Sequence, residues 1–194
     1  MAALEFYFDF RSPYAYLAQS QLHGLGVEVG YRPFEILGLM DRVGNVPTSI
    51  TCKAKNRYLS MDLQRWMAIY RVPLQRHPQG AEIDPRRLLR ASLAADELGL
   101  APQGVGAIFH AYWGSGAPLA TAADVAAVLN AAGVGGPDLA SRIDEPTLDR
   151  ALDAATEAAI ERGVFGAPTM FVGEEMFFGN DRLDFVRASL ERAA

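Results

Sequence analysis

The sequence predicts an α/β fold: a mixed four-stranded sheet interrupted by an all-helical insertion. Three observations predict it. A strand–helix–strand pattern fills the first thirty-odd residues, strand character returns only after Pro168, and everything between reads as helices joined by short turns. No internal repeat and no low-complexity segment interrupts this order.

The first strand is the aromatic run Phe6-Tyr7-Phe8-Asp9-Phe10, residue types that suit a pleated, buried surface. A helix opens at Ser12-Pro13. Ser is a good N-cap, and Pro suits the first helical position because its missing N–H has no intrahelical partner there. Tyr14, Leu17, Ala18, Leu22 and Leu25 then recur at helical spacing, until Gly24 and Gly26 break the pattern. Val27-Glu28-Val29-Gly30-Tyr31-Arg32-Pro33 alternates as a second strand ended by proline. Such a βαβ unit places its two strands parallel.

From about Ile36 the character changes. Gly38 to Thr51 reads as turn-rich, centred on Gly44-Asn45-Val46-Pro47. Helices are predicted over Lys55–Tyr70, with Leu59, Leu63, Trp66, Met67 and Tyr70 on one face, over Pro85–Leu98, and over Gly104–Trp113, with Val105, Ile108, Phe109 and Tyr112 in one stripe. Thr121–Ala132, a short Asp138–Ile143 and a helix from Pro146 or Thr147 to Arg162 follow, the last stopped by Gly163. Thr169-Met170-Phe171-Val172 and Met176-Phe177-Phe178 flank a three-residue hairpin, Gly173-Glu174-Glu175, and a helix from Asp181 to Arg192 closes the chain. The division that follows is an N-terminal βαβ part over 1–37, a helical insertion over 38–145 and a C-terminal αββα part over 146–194.

Composition narrows the function. The net charge is −5 with no basic block, which argues against nucleic acid and anionic membrane surfaces as partners. The one cysteine, Cys52, allows no intrachain disulfide, so a reducing, cytoplasmic setting is expected. Glu5 and Asp9 stand where a secretory signal would be basic and then apolar, and no apolar run approaches the roughly 20 residues of a membrane span. His23, His77 and His110 are scattered in no metal-ligand spacing, and the glycines form neither a dinucleotide nor a phosphate loop.

Four pieces remain. Ser12 places a hydroxyl at the positive end of a helix, where an anion or thiolate is stabilised. Ala167-Pro168 puts a proline at the head of a strand, a position suited to a cis bond. Asn180 or Asp181 opens the last helix with free amides. Lys53, Lys55 and Arg57 make a local basic cluster on an acidic protein. Taken singly, these read as a cap, a turn, another cap and a solvated charge run.

Together they are recognisable. Phe6-Tyr7-Phe8-Asp9-Phe10-x-Ser12-Pro13-Tyr14-x-Tyr16-Leu17 resembles the opening of 2-hydroxychromene-2-carboxylate isomerases and of kappa-class glutathione transferases. So do Gly44-Asn45-Val46-Pro47, Lys53-Ala54-Lys55, Asp62-Leu63-Gln64-Arg65-Trp66, Phe165-Gly166-Ala167-Pro168-Thr169-Met170-Phe171 and Phe178-Gly179-Asn180-Asp181-Arg182-Leu183, in order along the whole chain. The Asp-Leu-Gln-Arg-Trp and Gly-Asn-Asp-Arg stretches look more like the isomerase branch. The resemblance implies a thioredoxin-like fold of DsbA type, a cis Ala167–Pro168 turn, and Ser12 where redox relatives carry their first active-site cysteine. Because Ser12-Pro13-Tyr14-Ala15 holds no sulfur, thiol–disulfide exchange by this motif is impossible.

The resemblance further implies glutathione as a cofactor and a homodimer. Ser12 would be the catalytic donor to the glutathione thiolate, with Asn45, Lys55, Ala167, Pro168, Asn180, Asp181 and Arg182 holding the tripeptide. Lys53 or Arg57 would take the carboxylate of a small aromatic substrate, and Phe109, Tyr112 and Trp113 would face its ring. The implied reaction interconverts 2-hydroxychromene-2-carboxylate, or a polycyclic homologue, and trans-o-hydroxybenzylidenepyruvate. A kappa-type transferase and a non-catalytic thiol- or peptide-binding module are the competing readings.

Overall fold

In the strand Leu4–Phe8 (β1), Leu4, Phe6 and Phe8 are wholly buried on one face, and Tyr7 is buried on the other. A strand covered on both sides belongs in the middle of a sheet, and β1 does lie there. The computed structural model describes residues 3–136 and 138–193. In it, β1 pairs parallel with Val29–Pro33 (β2) and antiparallel with Thr169–Val172 (β3), which pairs antiparallel with Glu175–Phe178 (β4). The strand order is β2-β1-β3-β4. Pairing of Phe6 with Met170 and of Tyr7 with Thr169 joins the two ends of the chain.

Pro13–Leu22 (α1) links β1 to β2, and between β2 and β3 run Ile36–Arg42 (α2), Thr48–Thr51 (α3), Lys53–Tyr70 (α4), Pro85–Glu97 (α5), Ala101–Phe109 (α6), Ala122–Ala131 (α7), Leu139–Ile143 (α8) and Pro146–Glu161 (α9). Leu183–Ala193 (α10) packs on β3, while α5, α6 and α9 pack on β2. Among the described residues no helix is long and apolar enough to cross a membrane.

Several local expectations change. The stretch Gly38 to Thr51, read as turn-rich, holds most of α2 and all of α3; α2 forms because the Glu35 carboxylate caps it by accepting from the amides of Leu37 and Gly38. Glu is an uncommon N-cap, so the start signal was hidden. The hairpin turn has two residues, Gly173 and Glu174, with Gly173 at φ +57, since Val172 pairs directly with Glu175. The helix expected over Gly104–Trp113 begins earlier, at Ala101, and widens at His110–Ser115 into a π-helical turn. The closing helix is preceded by a 3-10 turn, Asn180–Arg182.

Two helices depart from their expected roles in packing. α4 buries none of its eighteen residues fully; its apolar stripe is only half-covered, and Tyr58, Met61 and Ile69 are each more than half exposed. Phe109, expected beside the substrate ring, is instead 0% exposed. Its ring lies 4.6 Å from Phe10 and 5.7 Å from Phe8, so it ties the helical block to the sheet and offers no face to a ligand. Phe109→Ala should therefore lower the unfolding free energy by about 3–5 kcal/mol in a urea titration. A cost typical of a surface position would contradict this core role.

Candidate active site

The site is built where β1 ends. Asp9 is wholly buried, yet its carboxylate is fully engaged. It accepts from the backbone amides of Arg11 (2.8 Å) and Ile36 (3.0 Å) and from the Arg11 guanidinium. Arg11 also pairs with Glu35, the cap of α2. A guanidinium held between two carboxylates keeps its proton, and Arg11 is pushed above its ordinary range by these partners despite burial. Phe10 is fixed from the other side: Trp113 Nε1 donates to its carbonyl at 2.7 Å. The loop that presents Ser12 is thus pinned on every residue before it.

Ser12 caps the ten-residue α1. Its Oγ accepts from the amide of Ala15 at 3.2 Å, and its hydroxyl donates to the carbonyl of Ala167 at 3.0 Å. Ala167–Pro168 is a cis peptide bond, and Thr169 Oγ1 donates to the Gly166 carbonyl beside it. A Cβ on Gly166 would lie 3.0 Å from the Phe178 ring, so this turn and the end of β4 touch. Asn45 Nδ2 donates to the Phe165 carbonyl at 2.7 Å, placing Asn45 two residues from Ala167. Gly179 donates to the Pro168 carbonyl, which draws Asn180, Asp181 and Arg182 to the same end of the sheet.

Asn180 is 3% exposed, and its Nδ2 has no hydrogen-bond partner among the described residues. A buried donor left unmade costs free energy, so this amide is a place for an incoming acceptor. The backbone carbonyl of Asn180 accepts from Tyr70 Oη of α4 at 2.9 Å. A second clasp runs from Tyr14 Oη to Asp62 at 2.7 Å, with Tyr58 Oη on the other oxygen at 3.2 Å. Burial first, then the hydrogen bond to Asp62 and its charge, push the Tyr14 phenol up, so it stays a neutral donor. These bonds attach α4 where apolar burial does not.

The cationic cluster sits on the first turns of α4, where Lys53, Lys55 and Arg57 are exposed. Lys55 Nζ reaches Thr48 Oγ1 at 2.9 Å. Cys52, exposed at the head of α4, is drawn below the usual thiol range by the amides of Lys55 and Ala54. Tyr112 and Trp113 lie on the π-helical turn with rings 5.1 Å apart, and the Trp113 N–H is spent on Phe10. Among the described residues no group of His, Cys, Asp and Glu could hold a metal.

The arrangement brings together Ser12, Ala167 and Pro168 by direct contact, and Asn45 and Asn180 through their neighbours. Sequence reasoning missed the residues that hold these in place: Asp9, Arg11, Glu35, Tyr14, Asp62 and Tyr70. Arg11 adjoins Ser12 and was visible, but nothing local links it to Glu35, 24 residues on. What the site can do is keep an anion charged: a helix N-terminus and a hydroxyl converge beside a strand-like turn.

Glu35 offers a test of the pinning. Burial would raise its carboxyl, but Arg11 and the amides of Gly38 and Leu37 outweigh that and hold it below the ordinary carboxylate range. Its contribution is complete above the ordinary range and is lost as pH falls through the depressed folded value. Glu35→Gln should lower Tm at neutral pH, with the gap from wild type closing below about pH 4. A gap independent of pH would refute the ion pair as its source.

A family model described as a DSBA-like thioredoxin domain matches residues 3–191. The 2-hydroxychromene-2-carboxylate isomerase of Pseudomonas putida is 34% identical over 194 residues, covering 97% of this chain and 94% of the relative. A solved 2-hydroxychromene-2-carboxylate isomerase superposes with a TM-score of 0.86 at 33% identity, covering 98% of this chain and 95% of the other. Glutathione S-transferase kappa 2 of Caenorhabditis elegans is 27% identical, covering 93% of this chain and 88% of the relative. With its serine-headed helix, its cis Ala167–Pro168 turn and this end-to-end likeness, the chain belongs to the 2-hydroxychromene-2-carboxylate isomerase family of DSBA-like thioredoxin proteins.

Proposed function

We propose that this protein is a glutathione-dependent isomerase interconverting 2-hydroxychromene-2-carboxylate, or a polycyclic homologue, and trans-o-hydroxybenzylidenepyruvate in aromatic hydrocarbon breakdown, naphthalene degradation being the model setting. The observation that carries this reading is Ser12: a hydroxyl, in a Ser12-Pro13-Tyr14-Ala15 motif that holds no sulfur, set at a helix N-terminus against the cis-proline turn. A donor so placed suits a thiolate brought by another molecule. Glutathione fits the groups around it, because the Asn180 Nδ2, buried and without a partner among the described residues, is a donor suited to one of the tripeptide's carbonyl or carboxylate oxygens.

Bound here, glutathione would supply a thiolate that adds reversibly to an unsaturated carbon of the substrate and is released unchanged. The chain's own groups hold and orient. Ala167 offers its backbone to the tripeptide in the manner of an added strand, beside Pro168. Asn180 and the amides of the Asn180–Arg182 turn serve the γ-glutamyl end, with Asp181 facing its ammonium. Asn45 and Lys55 serve the rest of the tripeptide. Lys53 and Arg57 attract the substrate carboxylate, and Tyr112 and Trp113 offer ring faces to the aromatic portion.

The reading also implies a cytoplasmic protein, where glutathione is abundant and reduced, and a homodimer. The half-covered α4, with Tyr58, Met61 and Ile69 exposed, supports a partner surface. The kappa-class likeness favours one second reading, a transferase that consumes glutathione.

Incubation with glutathione and the chromene separates the two. The isomerase reading expects spectral conversion with free glutathione unchanged, whereas a stable conjugate would sink it. Ser12→Ala should lower kcat by about 100- to 1000-fold, the range for removing one preorganised donor to developing charge. It should also move the bound thiol's pKa upward, read from thiolate absorbance.

A further inference from the structure

The Ser12 hydroxyl has one proton, and in this structure it is spent. It goes to the Ala167 carbonyl at 3.0 Å, while the Oγ lone pair is held by the Ala15 amide at 3.2 Å. Ser12 is 8% exposed and Ala167 9%, so neither polar group can fall back freely on water. For the hydroxyl to donate to a sulfur it must turn away from Ala167. That leaves a buried carbonyl without its donor, which opposes the turn.

We propose that the Ala167 carbonyl selects for thiols that carry an adjacent amide N–H. In a thiol bound as the functional reading above requires, on which this inference rests, that N–H takes over the carbonyl and frees the Ser12 proton for the sulfur. The exchange is balanced. The thiol proton leaves to solvent, the Ser12 O–H bond stays intact, and each acceptor ends with one donor. The Ala15 amide continues to hold Oγ, so the hydroxyl turns about a fixed oxygen.

The consequence is a coupling between two parts of one ligand. The amide N–H favours the thiolate, and the thiolate favours the amide contact, by the same factor. A small thiol without a neighbouring amide can enter the site, but its sulfur competes with Ala167 for the only proton. Selection thus acts on the ionisation of the bound thiol, beyond any difference in affinity.

The test compares glutathione with its depsipeptide analogue, in which an ester oxygen replaces the γ-glutamyl–cysteine amide N–H. Each is titrated while bound, at saturating protein, by ultraviolet thiolate absorbance. We expect the glutathione thiol to titrate lower than the analogue's by about one pKa unit, a tenfold difference in thiolate-to-thiol ratio. In Ser12→Ala the two thiols should titrate alike, because the shared proton is gone. Circular dichroism and Tm check that the variant is folded, and the wild-type comparison needs no variant. Equal bound pKa values in wild type would overturn the proposal, as would a difference that persists in Ser12→Ala. A different result, glutathione bound to wild type with its thiol at the solution value, would overturn the functional reading itself and this inference with it.

Discussion

The antiparallel pairing of β1 with β3 is the constraint on which the rest depends. It joins residues from opposite ends of the chain, with Glu5 opposite Phe171 and Tyr7 opposite Thr169. Because strand residues rise in fixed steps of about 3.3 Å, this register also sets how far each strand's end projects. Ser12 lies just beyond the end of β1, and Ala167 just before the start of β3. Their hydrogen bond, across 155 residues, follows from that alignment. A slip by one residue would turn Phe6 and Phe8 out of the core and also part the two site groups.

Around this pair the chain uses two kinds of support. On the sheet side the support is apolar: Phe8, Phe10 and Phe109 lock the helical block to β1. On the α4 side it is polar: Tyr14 to Asp62 and Tyr70 to Asn180. The Asp9–Arg11–Glu35 cluster is intermediate, buried at Asp9 and open at its rim. Such clusters contribute little net stability, since desolvation offsets the attraction, but they allow few alternative geometries. Here that restriction falls on the residue next to Ser12. The π-helical turn that carries Trp113 adds the indole bond to Phe10, a wide turn of the kind frequent at functional sites.

Much of the local structure was legible in the residues. The Ser12-Pro13 cap and Pro168 heading β3 follow from one or two residues' chemistry, and the βαβ unit from the periodicity of the first thirty-odd residues. The motifs that carry Ser12, Asn45, Ala167, Pro168 and Asn180 were legible too, and the fold gathers them at one end of the sheet. The groups that hold them were not. Glu35 caps α2 by virtue of lying beside Arg11, and Asp62 matters because Tyr14 of another helix reaches it. Phe109 carried the same apolar stripe as a pocket-lining residue would, and only packing distinguishes the two.

By itself the sequence determined the four strands and the longer helices, that no redox sulfur sits at the head of α1, and which family the pattern resembles. These rest on short-range chemistry: propensity, capping and residue identity act within a few positions. The tertiary structure alone decided which groups touch. It aimed the Ser12 hydroxyl at the Ala167 carbonyl, left the Asn180 side-chain amide without a partner among the described residues, and sent Phe109 into the core. Hydrogen-bond partners and burial depend on distances across the chain, and those exist only once β1 and β3 have paired.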